Sequence, residues 1–188
     1  MTAPTRVAGW GRLADGSVAT WTVAEGRRGR RWREVVARDT ATLHALLLET
    51  DPDGRFSHLE LARSDGLWTF HPEPDGTLHG NHVRAGEPGV RHVVGWPFAY
   101  DDALIVEASP LSLAAIAWHR RAAMRESAVE HAAGVIIGAD GALERRSEIR
   151  IERLSPTRWQ VGEGRPFEVD SAGLPVLEGG ASQPLEIP

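Results

Sequence analysis

The sequence contains no cysteine. Disulfides and thiolate-bound zinc are therefore excluded, and packing and hydrogen bonds alone must hold the chain. Lysine is missing too, so all 21 basic residues are arginines, a bias of composition to which no chemistry is attached. No apolar run approaches the roughly 20 residues that a membrane-crossing helix needs. The opening MTAPTRVAGWGRL lacks the basic-then-apolar pattern of an export signal, so the expected location is the cytoplasm. A basic surplus is also absent. The net charge is -5 and the pI about 5.9, which argues against a nucleic-acid partner.

What is present suits one globular domain. The 188 residues can bury a core without staples, and 41% apolar with 25% charged residues is neither a disordered nor a membrane composition. A single β-rich domain over 1–188 is expected, with 179–188 (GASQPLEIP after Gly179) as a weakly ordered tail.

The dipeptide Asp-Gly recurs at Asp15-Gly16, Asp53-Gly54, Asp65-Gly66, Asp75-Gly76 and Asp140-Gly141. Glycine takes positive φ freely and aspartate bonds its own backbone, so Asp-Gly between apolar runs marks a hairpin. Strands are expected at Val18–Val23, Arg31–Arg38, Leu43–Thr50, Arg55–Arg63, Leu67–His71, Thr77–Val83, Val90–Val94 and Ala103–Ala108, then at Ala133–Ile137, Leu143–Leu154, Arg158–Val161, Phe167–Val169 and Leu174–Leu177. One helix stands out. Ser109 can cap it, Pro110 fits its first position, and Leu111, Ala114, Ala115 and Trp118 share a face. The fold class is mainly β: a large curved antiparallel sheet, half-barrel or barrel, of about ten strands, with one helix plugging the concave side.

Chemistry-bearing residues gather in Leu78–His119. His71, His79, His82 and His92 suggest ligation, with His58 nearby, but His79 and His82 lie three apart on a strand and so face opposite ways. No metal or other cofactor is expected. Ser109 reads as a helix cap, since no nucleophile elbow surrounds it. Asp101 and Asp102 are adjacent and diverge on a strand. The run Arg27-Arg28-Gly29-Arg30-Arg31-Trp32-Arg33 suits phosphate or a lipid head, or else a charged hairpin with Trp32 in the core. Seven tryptophans against one tyrosine suit a curved sheet with an apolar cavity. Trp68, Phe70, Trp96, Phe98 and Trp118 are the expected lining, with His79, His82 and His92 at the mouth.

The passage from DGTLHGNHV through GWPFAYDDALIVEASPLSLAAIA, and the closing EVDSAGLPVLE, resemble a bacterial family regarded as glycolipid-binding, with a half-barrel like that of the periplasmic lipoprotein carriers. The resemblance implies a bent sheet closed by a short helical segment and a concave face for an acyl chain or glycolipid. The expected function is binding of an amphipathic or lipid-like small molecule. The alternative is an isomerase, cyclase or hydrolase of an apolar substrate using histidine and aspartate in the same cavity. Oligomeric state is not readable from the chain.

Overall fold

The computed structural model describes residues 5–185, with residues 93 and 94 described in backbone only. The chain is mainly β, with two sheets and one helix among the described residues.

The first sheet is an antiparallel meander. It runs β1 (Thr5–Arg12), β2 (Val18–Gly26), β3 (Gly29–Arg38), β4 (Ala41–Thr50), β5 (Phe56–Arg63), β6 (Gly66–Pro72), β7 (Thr77–Arg84) and β8 (Arg91–Pro97), each paired with the next. The Asp-Gly turns join several of them. Gly16, Gly54 and Gly76 take φ of 84°, 83° and 79°, values closed to a side chain without strain. In two of these turns the aspartate fixes the next strand: Asp15 Oδ1 accepts from Ser17 N–H and Asp75 Oδ1 from Thr77 N–H, each at 3.0 Å.

The last strand returns to this sheet. β15 (Glu178–Pro184) pairs with β1 as its ninth member. Most of this strand falls in 179–188, the segment expected to be a weakly ordered tail. Backbone pairing holds it instead, and Gly180 lies so close to the Trp10 carbonyl that a Cβ would collide. Residues 186–188 lie outside the described residues.

The second sheet has the order β14 (Pro175–Val176), β13 (Phe167–Val169), β12 (Arg158–Val161), β11 (Leu143–Arg153), β10 (Val129–Ile137), β9 (Ala103–Val106). All its pairs are antiparallel except β9 with β10. Parallel neighbours need a crossover, and the helix α1 (Pro110–Arg120) supplies it.

α1 begins as its sequence dictates. Ser109 Oγ accepts from Ser112 N–H at 3.1 Å, and Pro110 gives up an N–H that no turn would use. Leu111, Ala114, Ala115, Ile116 and Ala117 are all buried. A helix buried almost all round belongs inside a core. It packs against β9, β14 and β3, between the two sheets. The same hydrophobic core includes Trp32, Leu59, Leu61, Ile137, Ile151 and Trp159. Each such aliphatic side chain contributes about 1.5–3 kcal/mol when fully buried.

A buried carboxylate ties the helix to the first sheet. Glu34 of β3 is fully buried; its Oε2 accepts from Leu111 N–H at 3.0 Å and its Oε1 from His44 Nε2 at 2.9 Å. Its negative charge meets the positive end of the helix dipole. No helix among the described residues is long and apolar enough to cross a membrane.

Candidate functional site

Strand parity assigns the two faces of the nine-stranded sheet. Trp21, Trp32, Glu34, Val36, Leu46, Leu48, Leu61 and Phe70 point to the helix and the second sheet, and all are buried. The alternate residues point the other way, onto an open face.

The open face is graded. One row crosses seven strands through successive partners: Trp10, Thr20, Val35, Ala45, Ala62, Leu67 and Val83. None of these side chains is charged. The four large ones stay exposed: Trp10 45%, Val35 40%, Leu67 38% and Val83 42%. The next row is mixed, running Ala8, Thr22, Arg33, Leu47, Glu60, Thr69, Asn81, His92. The third is polar. It holds Arg6, Ala24, Arg31, Glu49 and His58 in one run of partners, and His71 paired with His79. From the first row to the third, the surface changes from hydrocarbon to charge.

This face carries a groove of about 550 Å³, floored by Thr20, Thr22, Val35, Ala45, Leu47, Ala62 and Leu67 and edged by Arg33 and Glu60. A volume of this size is within the range of small-molecule sites. A second hollow of about 170 Å³ continues it, sharing Thr22 and Arg33 and adding Arg6, Ala24 and Arg31. The groove lies on the face opposite the helix. On the helix side, the cleft among Leu48, Phe56, Asp102, Leu104, Ser112 and His119 offers about 30 Å³.

None of the eight residues expected at the site lines the groove. Trp68, Phe70 and His82 share the inner face of β6 and β7. The His82 ring stacks on Trp68 at 3.6 Å and 8°, and Phe70 lies 6.1 Å from Trp68 at 5°. His82 is 3% exposed, its Nε2 has no partner among the described residues, and burial pushes its pKa below the ordinary value. Trp96 pairs with Leu78 on the same side. Phe98 packs edge-on against Phe56 at 5.8 Å.

His79 and His92 do stand on the open face, 5.9 Å apart, with His71 5.4 Å from His79. Among the described residues no three histidine or acidic side chains converge to hold a metal ion. Trp118 is held between two guanidinium groups, Arg30 at 3.2 Å and Arg121 at 2.8 Å from its ring centre. Burial lowers the pKa of both arginines, and for Arg121 the charge of Arg30 adds to this. A hollow of about 230 Å³ opens beside Trp118, bounded by Arg121, Arg153 and Trp159.

The residues considered for catalysis are otherwise engaged. Ser109 is the helix cap, and Ser112 Oγ bonds the Val106 and Ser109 backbone. Asp102 accepts from Ala99 N–H and Arg145 at 3.1 Å each. Asp101 lies 3.3 Å from His119, whose Nδ1 is 3.1 Å from the Asp53 carbonyl. That pairs one histidine with one carboxylate, at the edge of the small cleft.

Sequence reasoning missed the groove because it followed rings and histidines. The floor is alanine, threonine, valine and leucine. The one usable signal was parity: Arg31 and Arg33 flank Trp32, so a core-facing Trp32 sends both arginines to the open side.

No family model matches the chain, and no curated protein matches it. It is similar to a solved structure described as a DUF1089 family protein from Pseudomonas aeruginosa, at 17% identity and a TM-score of 0.48, over 95% of this chain and 91% of the other.

Proposed function

We propose that this protein binds an amphipathic, lipid-like small molecule in the groove on the open face of the nine-stranded sheet. The observation that carries the reading is the row from Trp10 to Val83. Four large apolar side chains, aligned across the open face, are left in water, and two of them, Val35 and Leu67, line the groove. Exposed apolar surface gathered in a groove marks a binding site more often than a chance cluster. Covering it with an acyl chain gains about 2.5 kcal/mol per 100 Å² before association costs are met.

The grading toward arginine and histidine fits a ligand with one apolar and one polar end. An acyl chain or a glycolipid has this form, as the resemblance to the glycolipid-binding family also implies. On the helix side the cleft beside Ser112 holds about 30 Å³ and the hollow beside Trp118 about 230 Å³, against about 550 Å³ for the groove.

Titration with an environment-sensitive acyl dye tests the proposal. Saturable binding is expected, displaced by unlabelled fatty acid and lost in Val35→Asp. Binding that does not saturate, or that Val35→Asp leaves intact, would remove the groove from the account.

A further inference from the structure

We infer that the ligand of the groove is a single-chain amphiphile with an anionic head, and that Arg6, Arg31 and Arg33 receive that head. The inference rests on the groove reading and deepens it. Arg6 and Arg31 both pair with Ala24, so they flank one small residue on the open face. One strand, β2, lies between them, so two strand spacings set them about 10 Å apart at the backbone. Arg33 lies two residues along β3 from Arg31, about 7 Å away on the same face. Three guanidinium groups thus surround a hollow of about 170 Å³ whose floor is Ala24 and Thr22. Thr22 and Arg33 also line the main groove, so hollow and groove are continuous.

Charge balance points the same way. Among the described residues only Glu49 answers this trio, 2.5 Å from Arg31. Like charges on one face repel, and an oxyanion between them relieves the repulsion through charge-assisted hydrogen bonds. The histidine side of the same polar row is served already. His58 meets Glu60 at 3.2 Å and His71 meets Glu73 at 2.9 Å. Glu60 also edges the groove, so an anion is turned from its middle toward the arginine end.

The occupant is therefore oriented. Its chain lies over Val35, Ala45 and Leu67, and its carboxylate, phosphate or sulfate lies at the arginine hollow. The recognising chemistry is an oxyanion on an apolar chain, so a free oxyanion alone gains too little from these exposed arginines to bind well.

Calorimetric titration with three probes of equal chain length, all kept below micelle formation, decides the matter: decanoate, 1-decanol and decyltrimethylammonium. Inorganic phosphate serves as a fourth arm. Decanoate is expected to bind about tenfold more tightly than decanol, and the cation more weakly than both. Arg6→Gln with Arg33→Gln should erase the advantage of decanoate over decanol. Both arginines are exposed, so the unfolding midpoint should hold and will certify the fold. Equal affinity for decanoate and decanol, a preference that survives the double substitution, or phosphate binding as tightly as decanoate would each overturn the anionic-head inference while leaving the groove. Failure of all three chains to bind would remove the groove reading itself.

Discussion

Glu34 and Val35 are adjacent on β3 and face opposite sides of the large sheet. Glu34 is 1% exposed and holds the first turn of α1, whereas Val35 is 40% exposed on the floor of the groove. One residue step separates the part of the molecule that stabilises the fold from the part proposed to bind a ligand. Substitutions at the two positions should therefore have opposite profiles.

Glu34→Ala should destabilise strongly without touching the groove. It leaves Leu111 N–H and His44 Nε2 buried without their acceptor. Two orphaned donors cost about 2–5 kcal/mol together. His44→Ala leaves the carboxylate buried with one partner lost and should cost a similar amount. Urea unfolding measures both, and a loss below about 1 kcal/mol would show that the helix does not depend on this contact.

Ala62→Trp should do the reverse. Ala62 sits in the apolar row between Ala45 and Leu67, with its side chain in open space above the sheet. A ring there fills the groove while leaving the core alone, so stability should stay within about 0.5 kcal/mol. Affinity for an acyl probe should fall at least about tenfold, since the ring takes the space of the chain. Unchanged affinity would place the ligand elsewhere.

His82 should make stability depend on pH. Burial is the main cause of its lowered pKa, with Arg84 and Arg91 adding to it and Asp65 and Glu87 opposing. The folded state thus holds a proton less readily than the unfolded state, whose histidine titrates near 6.5. The neutral ring's contribution is fully present above that pH and is lost as the pH falls from 6.5 toward the folded value. His82→Phe keeps a ring on Trp68 and removes the proton site. The urea midpoint of the native protein, relative to this variant, should decline from pH 7.5 to 5.5; parallel midpoints would count against the assignment.

Gly173 should not tolerate a side chain. It has φ of 75°, and a Cβ there would meet the Trp118 ring at 2.5 Å. Gly173→Ala combines backbone strain with a push on a ring held by Arg30 and Arg121, at about 1–3 kcal/mol. Thermal unfolding of Gly173→Ala should show a lower Tm, and an unchanged Tm would mean that the ring moves freely.

Much of this architecture can be read from local chemistry. Asp15, Asp53, Asp65, Asp75 and Asp140 each precede a glycine that takes positive φ at a hairpin. Ser109 and Pro110 start the helix where their side chains require. What could not be read is the pairing between distant segments. Thr5–Arg12 and Glu178–Pro184 lack apolar alternation and become strands only because each finds an edge. The division into two sheets, and the parallel β9–β10 pair, follow from how α1 crosses over. The groove was hidden for a related reason. In ALLLE of β4 both parities are apolar, so Leu46 and Leu47 do not announce which one is core. Tryptophan drew attention to positions such as Trp32 and Trp159, which packing consumes.

The open face, not the helix side, is proposed to take the amphiphile. Mapping amide shifts by NMR during a decanoate titration tests it most directly. Saturable shifts confined to Thr20–Thr22, Arg31–Val35, Ala45–Leu47 and Ala62–Leu67 are the predicted result. Shifts centred instead on Leu104, Ser112 and His119 at the helix, or shifts that fail to saturate, would contradict it.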